Sequence, residues 1–157
     1  MAEWYRRNAG IVVFNPNHKV LVCQRADIKD SWQFPQGGIE QGETVKQAAA
    51  RELREETSLT NVKHIISLET PARYTFPPQV IASMQKRGFT NVGQDMFWSL
   101  FLFEGDDSEI NLQTQEPEFK NFKWVSMQEA YDLCVDFKKP AYRVAVTEFL
   151  PYIEGKK

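Results

Sequence analysis

Apolar residues come in short runs through the first third of the chain, broken by polar turn-formers, and only later in stretches long enough for helices. Arg7 to Phe14 and Lys19 to Gln24 read as β-strands. Asn15-Pro16-Asn17-His18 between them has turn chemistry, so the pair predicts a hairpin. A polar loop over Ala26 to Ser31 leads into Trp32-Gln33-Phe34-Pro35-Gln36-Gly37-Gly38. That string holds too much Gly and Pro for a regular element and enough aromatic surface to be anchored, which predicts a structured loop.

The clearest helix runs from Thr44 to Ser58: Thr44 with Gln47 three residues on forms a capping box, and no breaker interrupts Val45 to Glu56. Val62 to Leu68 and Phe97 to Phe103 read as strands. The roughly 20 residues between Thr75 and Gln94 include Pro77, Pro78 and Gly88, and an irregular loop that long in a small domain is usually functional or disordered. Phe122 to Val125 reads as another strand, followed by a second capping box at Ser126 and Glu129. Pro140 opens a last helix expected to end near Pro151. The 157 residues are enough for one domain, spanning 1–157.

Composition narrows the class. With 42% hydrophobic and 13% aromatic residues the chain can build a core, which excludes wholesale disorder. A formal charge of -2 argues against holding long duplex nucleic acid by bulk electrostatics. Cys23 and Cys134 match no metal or redox spacing and are expected to be reduced and inert, which favours a reducing compartment. The early apolar run Ile11 to Phe14 is far short of a membrane span, so no membrane association and a cytoplasmic address are expected.

Candidate chemistry lies on the first helix. At about 100° per residue, Glu52, Glu55 and Glu56 fall within an arc of roughly 100°, together with or beside Val45, Ala48 and Ala49. Gln47, Arg51 and Arg54 are expected around the opposite, solvated side. Three acids at i, i+3 and i+4 repel one another, more so if partly buried, unless a cation joins them. A hard divalent ion such as Mg²⁺ takes oxygen ligands and keeps positions open for water and phosphate oxygens, so the cluster points to phosphate chemistry. Just upstream, Gly37 and Gly38 allow backbone to approach a metal or phosphate closely.

Together these residues make Gly37-x5-Glu43-x7-Arg51-Glu52-Leu53-x-Glu55-Glu56-x-Ser58-Leu59, which resembles the Nudix box over residues 37–59. The family has Gly where this chain has Ser58, at a helix end where positive φ is easy only for Gly. The resemblance implies an α/β/α sandwich around a central mixed β-sheet. It also implies Mg²⁺ as cofactor, with Mn²⁺ able to replace it, and Glu52, Glu55, Glu56 and the Gly37 carbonyl as its ligands. Arg51 and Glu43 are implied as the pair that orients the acids.

A narrower resemblance rests on Tyr5-Arg6-Arg7-Asn8, the 32–38 string, Arg73-Tyr74, Gly93-Gln94, Pro117-Glu118-Phe119, Trp124-Val125-Ser126, Phe137-Lys138 and Tyr142-Arg143. These look like the bacterial RNA pyrophosphohydrolase and dinucleoside polyphosphate hydrolase subfamily, which generally has Pro where this chain has Arg7. The resemblance implies attack of metal-activated water on a phosphorus of a 5′ polyphosphate. Arg6 and Arg25 match its phosphate-contacting positions, Gly38 lies in its substrate loop, and Phe137 and Lys138 match where it holds the first bases of an RNA. Phe137 is equally open to a core role. Glu118 is implied as a water-activating or metal-contacting carboxylate, or stands as an ordinary loop acid. Tyr74 and Gln94 are expected to shape the nucleotide pocket, and Trp32, Trp98 and Trp124 to belong to the core.

The substrate expected first is the 5′-triphosphate end of RNA, from which pyrophosphate is removed, placing the chain in mRNA decay. A dinucleoside polyphosphate such as diadenosine tetraphosphate is the second reading. A catalytically silent nucleotide-binding domain is a third, opposed by the intact Glu52, Glu55 and Glu56.

Overall fold

A computed structural model describes residues 3–157; the first two residues of the expected 1–157 domain lie outside the described residues. At the centre, β1 (Tyr5–Phe14) runs parallel to β7 (Gly93–Leu102), in register from Tyr5 opposite Gly93 to Phe14 opposite Leu102. A turn follows in which Asn15 Oδ1 accepts from the amides of Asn17 and Lys19, and β2 (Val20–Arg25) returns antiparallel.

The hairpin forms, but only its base is in register, at Phe14 opposite Val20. Beyond it the strands splay and each takes another partner. β2 pairs with β8 (Phe119–Val125), while the first half of β1 pairs with β4 (Gln36–Gly38), Asn8 opposite Gly38. The expected structured loop at 32–38 therefore contains two short strands, β3 (Trp32–Gln33) on β2 and β4 on β1. The wedge between the splayed strands is where the site opens.

On the far side, β5 (Lys63–Ser67) and β6 (Ala72–Thr75) lie antiparallel to β7. The segment expected as an irregular loop instead holds the end of β6, the helix α2 (Pro78–Lys86) and the first two residues of β7. Two prolines mask the helix in the sequence, yet Pro78 is its first residue, where a missing N–H costs nothing.

Helix α1 (Val45–Thr57) covers one face of the sheet, packing Ala48, Ala49 and Leu53 on Ile11, Val13, Leu21 and Phe101. The other face carries α3 (Met127–Leu133) and α4 (Lys139–Ile153), with Tyr142, Ala145 and Phe149 against Val12, Trp98 and Leu100. The result is the expected α/β/α sandwich on a mixed sheet. At α3 half of the second capping box is made: Ser126 Oγ accepts from the Glu129 amide, while the Glu129 carboxylate makes no bond back to Ser126. Helix α4 runs past Pro151, because a proline in the last turn removes one backbone bond while Phe149 and Ile153 are buried on either side of it. Trp98 is fully buried and donates to the Ala141 carbonyl, whereas Trp32 and Trp124 are only half-buried. Cys23 and Cys134 are buried free thiols. Among the described residues no helix is long and apolar enough to cross a membrane.

Candidate active site

Both predicted halves of the α1 capping box are present: Thr44 Oγ1 accepts from the Gln47 amide, and the Gln47 side chain accepts from the Thr44 amide. The start of the helix is thereby fixed, and with it the direction of each acid. Glu56 is 5% exposed, the Glu52 side chain 14% and the Glu55 side chain 51%, so the three grade from the interior to solvent.

Arg51 departs from its expected place on the opposite side. It borders the acid arc and donates to Glu52 at 2.8 Å and Glu55 at 3.2 Å. The reason is angular: Arg51 lies one position before Glu52 and one turn before Glu55, within reach of both. Its other nitrogens make a two-point bond to Glu43, at 2.6 and 2.9 Å, and reach the Gly38 carbonyl at 2.8 Å. Those bonds, with one from the Glu40 amide, hold the Glu43 carboxyl down to about 2. A single guanidinium thus ties the glycine loop, Glu43 and two of the helix acids together.

Glu56 is the exception to this pairing. Neither of its buried oxygens has a hydrogen-bond partner, and burial, followed by the negative charges of Glu118 and Glu52, pushes its pKa up to about 10. Burial also raises Glu52, against the pull of Arg51. Any side chain at Gly37 would overlap the Glu52 carboxylate, so this contact requires the glycine. Among the described residues no three acids, histidines or cysteines already converge as a closed metal cage, since Arg51 draws Glu52 and Glu55 toward itself. The orphaned Glu56 oxygens, with Glu52 and Glu118 close enough to repel them, nonetheless fit a hard divalent cation, which would satisfy oxygens that nothing else bonds.

Two clefts meet at this cluster. Glu52 and Glu118 line both. One, of about 470 Å³, is acidic and runs between Glu52, Glu55 and Glu56 and the loop residues Glu116 and Glu118. The other, of about 400 Å³, lies in the wedge between β1 and β2 and gathers Arg6, Arg25, Arg87 and Lys138.

The cations of the second cleft differ in how they are held. Arg6 is exposed, lies over Gly38, and forms no salt bridge among the described residues; Arg25 is locked to Asp27 by bonds of 2.9 and 2.7 Å. Lys138 is only 6% exposed and donates to the side-chain oxygens of Gln33 and Gln36 at 3.4 Å. Burial, and after it the Arg25 guanidinium, lowers its pKa to about 8. Gln94 lines the cleft, and Tyr74 acts only through it: buried beneath, its hydroxyl donates to Gln94 at 2.8 Å. Phe137 packs its ring near Tyr74 and Phe76 and also lines a neighbouring, more apolar slot of about 430 Å³, beside Val80, Met84 and Val135. Core and slot share the same residue.

Sequence reasoning placed Arg6, Arg25, Gly37, Gly38, Gln94, Glu118 and Lys138 around one opening, and the structure brings them together there. Glu43 and Tyr74 stand behind the walls. Missing from that reading were Asn8, whose buried Oδ1 has no partner, Asp27, the Gln33 and Gln36 pair, and Arg87. The glutamines lie inside the conspicuous 32–38 string and were findable there. Arg87 carries no signal, because its place in the cleft depends on α2.

The sequence pattern of the NUDIX domain matches residues 4–146. Relatives extend over nearly the whole chain. Nudix hydrolase 27, chloroplastic, of Arabidopsis thaliana is 38% identical over 152 residues, covering 94% of this chain and 67% of its own length. The RNA pyrophosphohydrolase of Pelagibacter ubique is 40% identical over 139 residues, 88% of this chain and 87% of its own. Among solved structures, the E. coli dihydroneopterin triphosphate pyrophosphohydrolase superposes with a TM-score of 0.67 at 20% identity, covering 92% of this chain and 99% of that one, a likeness of fold. The chain belongs to the Nudix hydrolase family. Members of that family generally use divalent metals.

Proposed function

We propose that this protein is a Mg²⁺-dependent RNA pyrophosphohydrolase that acts on 5′-triphosphate ends, with Mn²⁺ as an effective substitute, in the first step of mRNA decay. One observation carries the reading: the buried Glu56 carboxylate with two unsatisfied oxygens sits where an acidic cleft joins one that holds four cations. Cation and phosphate chain are complementary to the two sides. The 40% identity to the P. ubique enzyme supports the choice of RNA.

Glu52, Glu55, Glu56 and the Gly37 carbonyl would hold the metal, which when bound lowers the pKa of water and neutralises charge on nonbridging phosphate oxygens. The remaining steps fall to the protein's own residues. Arg51 and Glu43 keep the acids aimed, Arg6 and Arg25 grip phosphate oxygens in pairs, and Gly38 leaves the space into which Arg6 reaches. Glu118, at the rim of both clefts, takes the proton as water attacks phosphorus. The phosphoanhydride bond then breaks, leaving a 5′-monophosphate RNA and pyrophosphate. Phe137 and Lys138 hold the leading bases at the slot, and Lys138, which also lines the basic cleft, turns its charge toward the phosphates.

The slot also favours a second reading, dinucleoside polyphosphate hydrolysis, because it can receive the nucleoside at the far end of a phosphate chain as readily as the next base of an RNA. A side-by-side rate comparison in Mg²⁺ of a short 5′-triphosphate RNA and diadenosine tetraphosphate at equal concentration decides. Faster RNA conversion is expected; faster dinucleotide cleavage would replace the first reading by the second.

A further inference from the structure

Helix α1 ends on a backbone that a side chain disfavours. Ser58 has φ 68, in the left-handed region, at the position the family gives to Gly. The serine side chain there is engaged: its Oγ donates to the Asn111 carbonyl at 2.8 Å, while the Asn111 amide donates to the neighbouring Thr57 carbonyl at 2.9 Å. Asn111 is thereby held at both its backbone N–H and its C=O.

Asn111 begins the segment that forms the far wall of the acidic cleft. Thr114, Gln115, Glu116 and Glu118 face Glu52, Glu55 and Glu56 across it. The other end of the segment is fixed where the Glu118 carbonyl accepts from Ala26 at 2.9 Å and β8 begins. From Leu112 to Pro117 no backbone bond ties the segment to the rest of the protein among the described residues; its one local bond is from the Gln113 amide to Asn111 Oδ1. A span with two anchors moves at its middle by as much as either anchor allows. Ser58 doubles one of them.

We propose that Ser58 is a positioning residue whose hydroxyl fixes the 111–117 wall, and with it Thr114, Gln115 and Glu116, across the cleft from Glu52, Glu55 and Glu56. This rests on the reading above, in which those carboxylates hold a divalent cation. It explains why a strained serine can stand at a glycine position: the residue exchanges helix-end comfort for a tether.

The test separates the hydroxyl from the strain. Ser58→Gly removes both, Ser58→Ala removes only the hydroxyl, and Ser58→Thr keeps the hydroxyl while worsening the strain. Thermal midpoints are expected to rank Gly above wild type and Thr below it. Hydrogen exchange at the bonded amides of Asn111 and Gln113, and the Mn²⁺ concentration for half-saturation measured by calorimetry, should follow the hydroxyl instead. Both are expected to rise about fivefold in Gly and Ala and stay near wild type in Thr, the size of one lost hydrogen bond. The half-saturating Mg²⁺ concentration for turnover should move with them. Exchange and metal binding that track the thermal midpoint, or that are unchanged in Ser58→Gly, would overturn the proposal. If the Thr protein does not fold, the Gly and Ala pair decides, because these two share the missing hydroxyl and differ in strain. A wild-type protein that hydrolyses neither RNA nor dinucleotide would defeat the functional reading alone, since exchange and Mn²⁺ binding report on the tether without turnover.

Discussion

The two sides of the site are mirror images in charge and opposites in construction. The acidic side is one helix, with Glu52, Glu55 and Glu56 delivered by a single capped element. The basic side is assembled from β1, the end of β2, the turn after α2 and the residue before α4, which supply Arg6, Arg25, Arg87 and Lys138. Each side nevertheless contains one group whose charge burial opposes: Glu56, pushed up to about 10, and Lys138, brought down to about 8. One waits for a cation and the other for an anion. A metal-bound polyphosphate answers both at once, so the protein holds in its folded state a cost that its ligands relieve.

The heaviest blow to this pairing falls on the acid. Glu56→Gln is expected to cut turnover about a thousandfold or more, since the contribution of a metal-bound charge is several kcal/mol. Without divalent metal the same change should stabilise the fold. The folded-state pKa of Glu56 lies above its unfolded value, so its contribution is fully present below the ordinary carboxylate range and is lost as pH rises toward 10. Glutamine has no proton to lose. In a chelating buffer the thermal midpoint of the variant should therefore fall less than that of wild type between pH 5 and 9; equal slopes would break the claim that Glu56 is buried unpaired.

On the basic side the effects are smaller and unequal. Arg6 has no competing carboxylate among the described residues, whereas Arg25 must partly leave Asp27 to meet a phosphate. Arg6→Ala is expected to lower kcat/KM by about 10- to 100-fold, the worth of a charge-assisted hydrogen bond. Arg25→Ala should cost less. Removing the competitor in Asp27→Ala should raise kcat/KM modestly where Arg25 is intact and do nothing in the Arg25→Ala background. Steady-state kinetics on one 5′-triphosphate RNA checks all three, and an equal loss at Arg6 and Arg25 would show that the Asp27 bond does not compete.

The same contrast governs what could be read in the chain. Spacing along one helix is local, so Glu52, Glu55, Glu56 and the Thr44 to Ser58 boundaries are legible, and the structure repeats them with Arg51 turned inward. The wedge that seats the basic side arises because β1 and β2 pair only at Phe14 and Val20, a splay no local pattern announces. Residues of that side were recognisable when they stood in a resembling string, as Arg6 and Lys138 did, or matched a phosphate-contacting position of the resembling subfamily, as Arg25 did. Arg87 did not, since α2 begins on prolines that look like loop. Burial depth was also invisible: nothing in Phe137-Lys138 distinguishes the half-buried ring from the almost fully buried ammonium beside it.

That buried ammonium gives the mildest test of the comparison. With saturating Mg²⁺, loss of the Lys138 proton should lower kcat/KM roughly fivefold between pH 7 and 9, since it removes one of several cations facing the phosphates. Lys138→Arg stays protonated throughout and should abolish that limb. Stability moves the other way. A lysine whose folded-state pKa is depressed contributes stability above its ordinary value of about 10.5, and that contribution is lost as pH falls through about 8. The thermal midpoint of wild type, measured against Lys138→Gln to cancel the other groups, should therefore rise from pH 8 toward 10 while catalytic efficiency declines. Phosphate binding favours the charged form that folding disfavours, and a profile in which both quantities fall together would show that Lys138 serves packing rather than substrate.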